Sequence, residues 1–336
     1  MTDGAAEPSK PAARGAEVSA PRSPLATTKD LAVLAKLPLS ALAAWCVPER
    51  SWDAVAAQAV RLERRNIAGI AERIAGMVGP DRLPEPALAL ACRQIGLNRV
   101  DQLCFLRSYR PGGWRPELLL EGREHLDAAL AAGRGAVLWM APTVFQWLPA
   151  KRALSEAGYR LHHLSHPRHG FSTLSRFGRR WVNPIRTRVE DRYLAERVVL
   201  GDHGGARGAL RRLTALLRRN AVVSITVAAE GTRQARAPLL GGFLCVASGA
   251  PHLAARTGAA LLPVVTLRTG PGRFLTRIEA PLPTPPGGSP DDPLEQAVAE
   301  LARRLEPYVL AHPDQIAWAL DCFDPLPPPA IPAAEG

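Results

Sequence analysis

Residues 134–154 read RGAVLWMAPTVFQWLPAKRAL. The first third, Gly135–Ala141, is an uninterrupted apolar run, which predicts a strand buried on both faces. Pro142 and Thr143 make a tight polar crossing. Residues 144–158 then predict a helix that stops at Gly158. A strand covered on both sides and handed straight to a helix is the repeating unit of a covered, mainly parallel sheet.

The same alternation extends in both directions. Residues 123–133 predict a short helix ended by Gly133, and 159–165 a strand. Residues 206–219 place Leu210, Leu213, Leu216 and Leu217 on one helical face, ahead of a strand over 221–229;. After a loop come a helix over 249–258 and strands over 259–268 and 273–280. A helix over 292–311 and a shorter one through Trp318 close the pattern. Upstream the rhythm is helical throughout. In residues 51–79, Val55, Ala59, Leu62, Ile67, Ile70 and Ile74 fall near one stripe, and a second helix follows Pro84 and ends at the breaker RPGGW, residues 110–114;. This reading divides the chain into a disordered tail (1–28), an N-terminal helical segment (29–110), an α/β domain (111–323) and a Pro-rich tail (324–336). No internal repeat is found.

The chain of 336 residues can bury one large core or two modest ones;. Its net charge of +11 is carried almost entirely by arginine, lysine occurring only at Lys10, Lys29, Lys36 and Lys151. A basic surface favours anionic neighbours, phosphate-bearing lipid or nucleic acid. Cys46, Cys92, Cys104, Cys245 and Cys322 are scattered without metal-like spacing, as expected of small buried hydrophobes, and no metal site is expected;. The segment Leu31–Val47, broken by Lys36 and Pro38, is marginal as a membrane span;. It suits a helix lying in a membrane interface with Trp45 near the polar boundary, or equally a first helix packed on the core;.

Chemistry is expected in residues 230–233, Glu-Gly-Thr-Arg, directly after a strand. Arg233 can grip a phosphate through paired donors, while Thr232 and the Gly231 amide add hydrogen bonds; a structural turn is the alternative.

Here the sequence resembles a known family. Residues 121–142, EGREHLDAALAAGRGAVLWMAP, resemble the Gly-x-Glu-His-Leu helix and first strand of the bacterial lysophospholipid and lipid A late acyltransferases. Residues 240–264 and 306–323 resemble later segments of that family, and Glu230–Arg233 resembles the Glu-Gly-Thr-Arg signature of the related glycerophosphate acyltransferases. The resemblance implies a glycerolipid acyltransferase-like α/β fold. The function it implies is transfer of a fatty acyl group from an acyl-carrier-protein or coenzyme A thioester to a lipid or other amphiphilic acceptor. No bound cofactor is implied. The expected partners are anionic membrane lipid and acyl carrier protein, at the cytoplasmic face of the inner membrane, held peripherally or by an N-terminal anchor.

The departure from the family lies in the opening stretch. The family carries a histidine followed, after four spacers, by an acid, on the loop leaving the first strand. Here Thr143 occupies the histidine position and Leu148 the acidic one; a shift by two residues offers Ala141 and Gln146. No histidine in the chain has Asp or Glu five places later. Threonine cannot serve as a general base near neutral pH, and such a base is worth about 10²–10⁴ in rate. Glu230 is a substitute base if its surroundings are apolar, against an ion pair with a neighbouring arginine as the alternative;. His203, in a flexible GDHGG loop, is another. The histidines of LHHLSHPRH, residues 161–169, read as solvated rather than metal-binding, and Cys245 as a packing residue rather than an acyl-accepting thiol;. The basic runs at 176–188 and 209–219 read as solvated helix faces or as contacts to membrane phosphate, ahead of nucleic acid;. A non-catalytic relative that binds lipid or a partner protein in the old pocket is the second functional class.

Overall fold

The computed structural model describes residues 24–61, 67–167, 169–171, 175–201, 205–231, 233–283, 292–316 and 321–325. The chain opens with four helices: α1 (Thr28–Cys46), α2 (Trp52–Arg61), α3 (Ile67–Val78) and α4 (Ala87–Arg107). Thr27 and Asp30 start α1 with reciprocal side-chain caps, each satisfying the other's backbone amide;. The single helix expected over 51–79 is two helices, with residues 62–66, and so Leu62, outside the described residues. On α2 the buried stripe is Trp52, Ala56 and Val60, one position round from the expected Val55 and Ala59. Trp52 sets that face: its indole is fully buried and donates to the Val47 carbonyl at 3.1 Å.

Beyond the turn at 110–113 comes a strand the sequence did not announce, β1 (Glu117–Glu121), and then the expected alternation of α5 (Arg123–Ala131), β2 (Ala136–Met140), α6 (Leu148–Glu156) and β3 (Leu161–Ser165). It continues through α7 (Asn183–Asp191), β4 (Glu196–Val199), α8 (Gly205–Leu217) and β5 (Val222–Thr226). A hairpin of β6 (Gln234–Leu239) and β7 (Gly242–Ala247) precedes α9 (Gly249–Thr257), β8 (Ala260–Gly270), β9 (Arg273–Ile278), α10 (Asp292–Ala311) and β10 (Phe323–Pro325). The main sheet has the order β1-β9-β8-β2-β5-β3-β4. Five neighbours, β8, β2, β5, β3 and β4, run parallel, and β9 turns back antiparallel on β8. Every residue of β2 is buried, as the apolar run requires of a central strand;. A separate antiparallel sheet, β10-β7-β6, occupies the stretch that reads as a loop in the sequence. Its buried positions on β6 are Ala235, Ala237 and Leu239, and the two alanines leave the alternation with little strand signal;.

The N-terminal helices share a core with the α/β part. Phe274 of β9 packs edge-to-face against Trp114 at 5.4 Å and Phe145 at 5.2 Å, in a cluster that includes Ala44, Trp52 and Phe105 from the helices. Cys46 is exposed, against the expectation that all five cysteines are buried, because it ends α1 on the side away from this cluster. No helix among the described residues is long and apolar enough to cross a membrane.

Phe274→Ala is expected to lower unfolding stability by about 3–5 kcal/mol, since it opens a cavity where three elements meet. Urea denaturation at neutral pH measures it, and a change under 1 kcal/mol would place the joint elsewhere.

Candidate active site

Parallel strands that end together bring their following loops to one edge, the usual location of an α/β site. In register, Met140 pairs with Thr226 and His163 with Ser224, so β2, β5 and β3 finish side by side. The crossing 141–147, the loop from 227, and the loop from 166 therefore leave the same edge.

The crossing itself is sealed. Thr143 is buried and donates its hydroxyl to the Thr266 carbonyl at 2.7 Å, and Leu148, the first residue of α6, is fully buried. The Val144 amide donates to the Gln315 carbonyl at 2.7 Å. Gln315's side chain grips β8 at both ends of its amide, accepting from the Arg268 amide at 2.8 Å and donating to the Arg268 carbonyl at 3.0 Å. Arg268 reaches on to Asp53 of α2 through two bonds of 2.8 and 3.0 Å. The C-terminal Gln315 thus ties crossing, sheet and N-terminal helix into one unit. Thr143 has no open face from which to meet a substrate. Gln146, three residues on, is buried with neither amide atom hydrogen-bonded among the described residues.

Glu230, Gly231 and Arg233 are exposed at the end of β5, and Thr232 lies outside the described residues. Glu230 therefore lacks the apolar surroundings that its role as a base required. The loop's shape depends on Gly231: a Cβ there would sit 2.7 Å from the Ala247 Cβ on β7. The Arg233 carbonyl accepts from the Ser248 amide at 3.0 Å, which anchors the loop to the hairpin while its side chain faces solvent.

In the histidine-rich stretch His166 is exposed as expected, but His162, His163 and His169 are wholly or partly buried. Successive residues of β3 point to opposite faces, so His162 meets Glu196 at 3.2 Å while His163 is buried against Ser224 at 2.8 Å;. Burial, reinforced by Lys151, drops His163 well below the ordinary histidine range. His169 lies past the strand end, its Nε2 2.7 Å from Glu190 Oε1. Its ring packs on Trp147 of the crossing, with centroids 4.6 Å apart. His203 lies outside the described residues. Among the described residues no three metal-type side chains converge.

Glu190 is the centre of this region. Fully buried on α7, it receives Lys151 of α6 and His169, with Arg197 of β4 at 3.0 Å and Arg186 at 3.4 Å. Burial alone would raise its carboxyl, but His169 and Lys151, with Arg197, override it and hold it well below the carboxylate range. Burial lowers Lys151 to about 8 in spite of Glu190. Arg186 also binds Asp101 of α4 at 3.1 Å, and burial pushes that carboxyl up to about 6. A search for acids five residues after each histidine is blind to His169 and Glu190, which stand 21 residues apart. The available signal was Lys151, the lone lysine of the α/β region, placed in an apolar helix face. Cys245 is half-buried in β7, and burial raises its thiol, as suits a packing residue.

A family model for bacterial lipid A biosynthesis acyltransferases matches residues 113–323. No curated protein sequence matches the chain significantly.

Glu190→Gln would leave Lys151, Arg186 and Arg197 without their shared anion, so a loss of about 3–5 kcal/mol is expected in chemical denaturation. In the native protein the depressed carboxyl adds stability that is complete above its unfolded value, about 4.3, and is lost as pH falls through the folded one. Acid titration followed by near-ultraviolet circular dichroism should show tertiary structure lost below that value. Stability that is flat with pH there would contradict the assigned charge.

Proposed function

The chain belongs to the bacterial lipid A biosynthesis acyltransferase family, and on that premise we propose that it moves a fatty acyl group from a thioester to a lipid or other amphiphilic acceptor at a membrane surface. The observation that carries this reading is the shared edge of β2, β5 and β3, where Arg233 stands exposed beside loops that carry buried polar groups. A guanidinium there suits a phosphate, either of an acceptor headgroup or of the donor's carrier arm. The donor is an acyl-carrier-protein or coenzyme A thioester. The sealing of Thr143 favours a second reading, a non-catalytic relative that holds lipid or a partner protein at the same edge.

Peripheral contact with anionic lipid is part of the proposal. On α1, Leu31, Leu39, Leu42 and Trp45 are 63, 75, 61 and 41% exposed and lie within one helical stripe;. The helix packs beside the turn Gly178–Val182, where Trp181 is 63% exposed next to the exposed Arg179 and Arg180. Apolar anchors next to cationic side chains are the composition that a negatively charged membrane surface attracts.

The test incubates the full chain with lauroyl-, myristoyl- and palmitoyl-coenzyme A, or the matching carrier-protein thioesters. Vesicles of phosphatidylethanolamine and phosphatidylglycerol carry lysophospholipid or a lipid A precursor as acceptor, and thiol release is followed. A charged hydrogen bond is worth about 1.5–3 kcal/mol, so Arg233→Ala should lower kcat/KM roughly 10- to 100-fold. Equal background release from wild type and variant would remove the enzyme reading, and retained vesicle binding would then leave the binding reading. Separately, the double change Leu39→Asp and Leu42→Asp should lower vesicle co-flotation at least tenfold, and unchanged flotation would exclude α1 as the docking face.

A further inference from the structure

Acyl transfer to a hydroxyl needs a group that takes the proton as the oxygen attacks. Among the described residues, His162, His163 and His169 each lie against a polar side chain, and His166 is exposed just past β3. His162 and its partner Glu196 sit within paired strands, with Glu196 also held by Arg212 at 2.7 Å. His163 is sealed against Ser224, both inside the sheet. Of the three in contact with a side chain, His169 stands beyond its strand end, against the crossing that leaves β2.

We propose that His169, oriented by Glu190, is the general base for acyl transfer at this edge; the assignment rests on the acyl-transfer reading above. Its geometry has three parts. Glu190 is ionised and can only accept, so the 2.7 Å contact fixes a proton on His169 Nε2 and leaves the lone pair on Nδ1;. Nδ1 has no partner among the described residues, and the ring keeps 11% of its surface exposed. The loop is pinned by Gly170, whose φ is +145° and whose Cβ, were it there, would lie 2.4 Å from the Asn183 side chain on α7. That contact presses the loop onto the helix that carries Glu190. Burial holds the imidazole below the ordinary histidine value, with Glu190 opposing, so the ring is unprotonated at neutral pH;.

In the step, Nδ1 takes the proton of the acceptor hydroxyl as its oxygen bonds to the thioester carbonyl carbon. Collapse of the tetrahedral adduct breaks the carbon–sulfur bond, and the departing thiolate takes the proton back from the imidazolium as a free thiol.

The experiment uses the full chain in the thiol-release assay with coenzyme A thioesters and lysophospholipid vesicles. His169→Asn is expected to lower kcat by about 10²–10⁴, with KM little changed, and His169→Gly should regain part of its rate with added imidazole. A second measurement needs no variant: in wild type, the acidic limb of the kcat/KM profile should coincide with the His169 titration followed by nuclear magnetic resonance, below about 6.5. A wild type that releases thiol while His169→Asn matches it overturns the assignment and leaves the acyltransferase reading standing. A loss that imidazole does not rescue, with an acidic limb apart from the His169 titration, marks a structural role and overturns it too. A wild type silent with every thioester removes the reading and the base together.

Discussion

One fully buried carboxylate governs this molecule. Glu190 cannot be buried as an isolated anion, because desolvation of a single charge costs several kcal/mol even after relaxation. It is buried because α6, β4 and the loop after β3 each bring it a nitrogen, and because Arg186 on its own helix leads onward to Asp101 on α4. Replacing such a cluster with apolar side chains often leaves stability unchanged or higher. Its value here is selectivity. Any packing that slides α7 against its neighbours leaves Glu190, Lys151 or Arg197 buried without a partner. One arrangement of four elements satisfies them all.

The second clamp acts on the neighbouring loop. Gln315 hydrogen-bonds the crossing through its backbone and β8 through its side chain, and Arg268 carries the link to α2. Of the segments that resemble the family, residues 306–323 supply Gln315 to this network, and residues 121–142 and 240–264 meet beside it where the Ala141 amide donates to the Val264 carbonyl at 2.7 Å. These are packing contacts of the fold, independent of what the threonine at position 143 does. Resemblance in these segments therefore speaks for architecture, and chemistry has to be argued from whatever the surrounding loops offer.

The sheet was legible because its central strands have one solution. A run such as Ala136–Met140, apolar at every position, fits only a strand covered on both faces, and the helices between strands carry clear stripes. The parts that escaped are those where pattern and environment separate. β6 buries alanines, β1 shows Leu119 to solvent at 55% exposure, and β4 is four residues long. At the site, Arg233 and Glu230 are candidates by their position after a strand, which local sequence determines. His169 is not, since its partner comes from a helix two elements later and the contact is tertiary. A string of four histidines looks solvated until the fold distributes them: His166 stays exposed, while the others go one onto Glu196, one onto Ser224 and one onto Glu190.

That distribution bears on what a shared carboxylate can do for an imidazole. Glu190 is nearly neutralised by Lys151, Arg186 and Arg197, so its power to stabilise an imidazolium by charge is much reduced;. Its power to fix the tautomer is not, because that depends on one acceptor oxygen at 2.7 Å and not on net charge. In histidine-centred triads the loss of the correct tautomer alone removes about 10⁴ in kcat, so orientation is the larger part of what such a carboxylate supplies. Burial, with Lys151 and Arg186 adding to it, supplies a second effect: it resists a lasting positive charge on His169 and keeps the ring unprotonated between turnovers. A base that must accept and release one proton per cycle is served by both. What the sheet edge requires is a lone pair at a reachable point beside the β2 crossing, and the loop after β3 delivers it there without any histidine in the crossing itself.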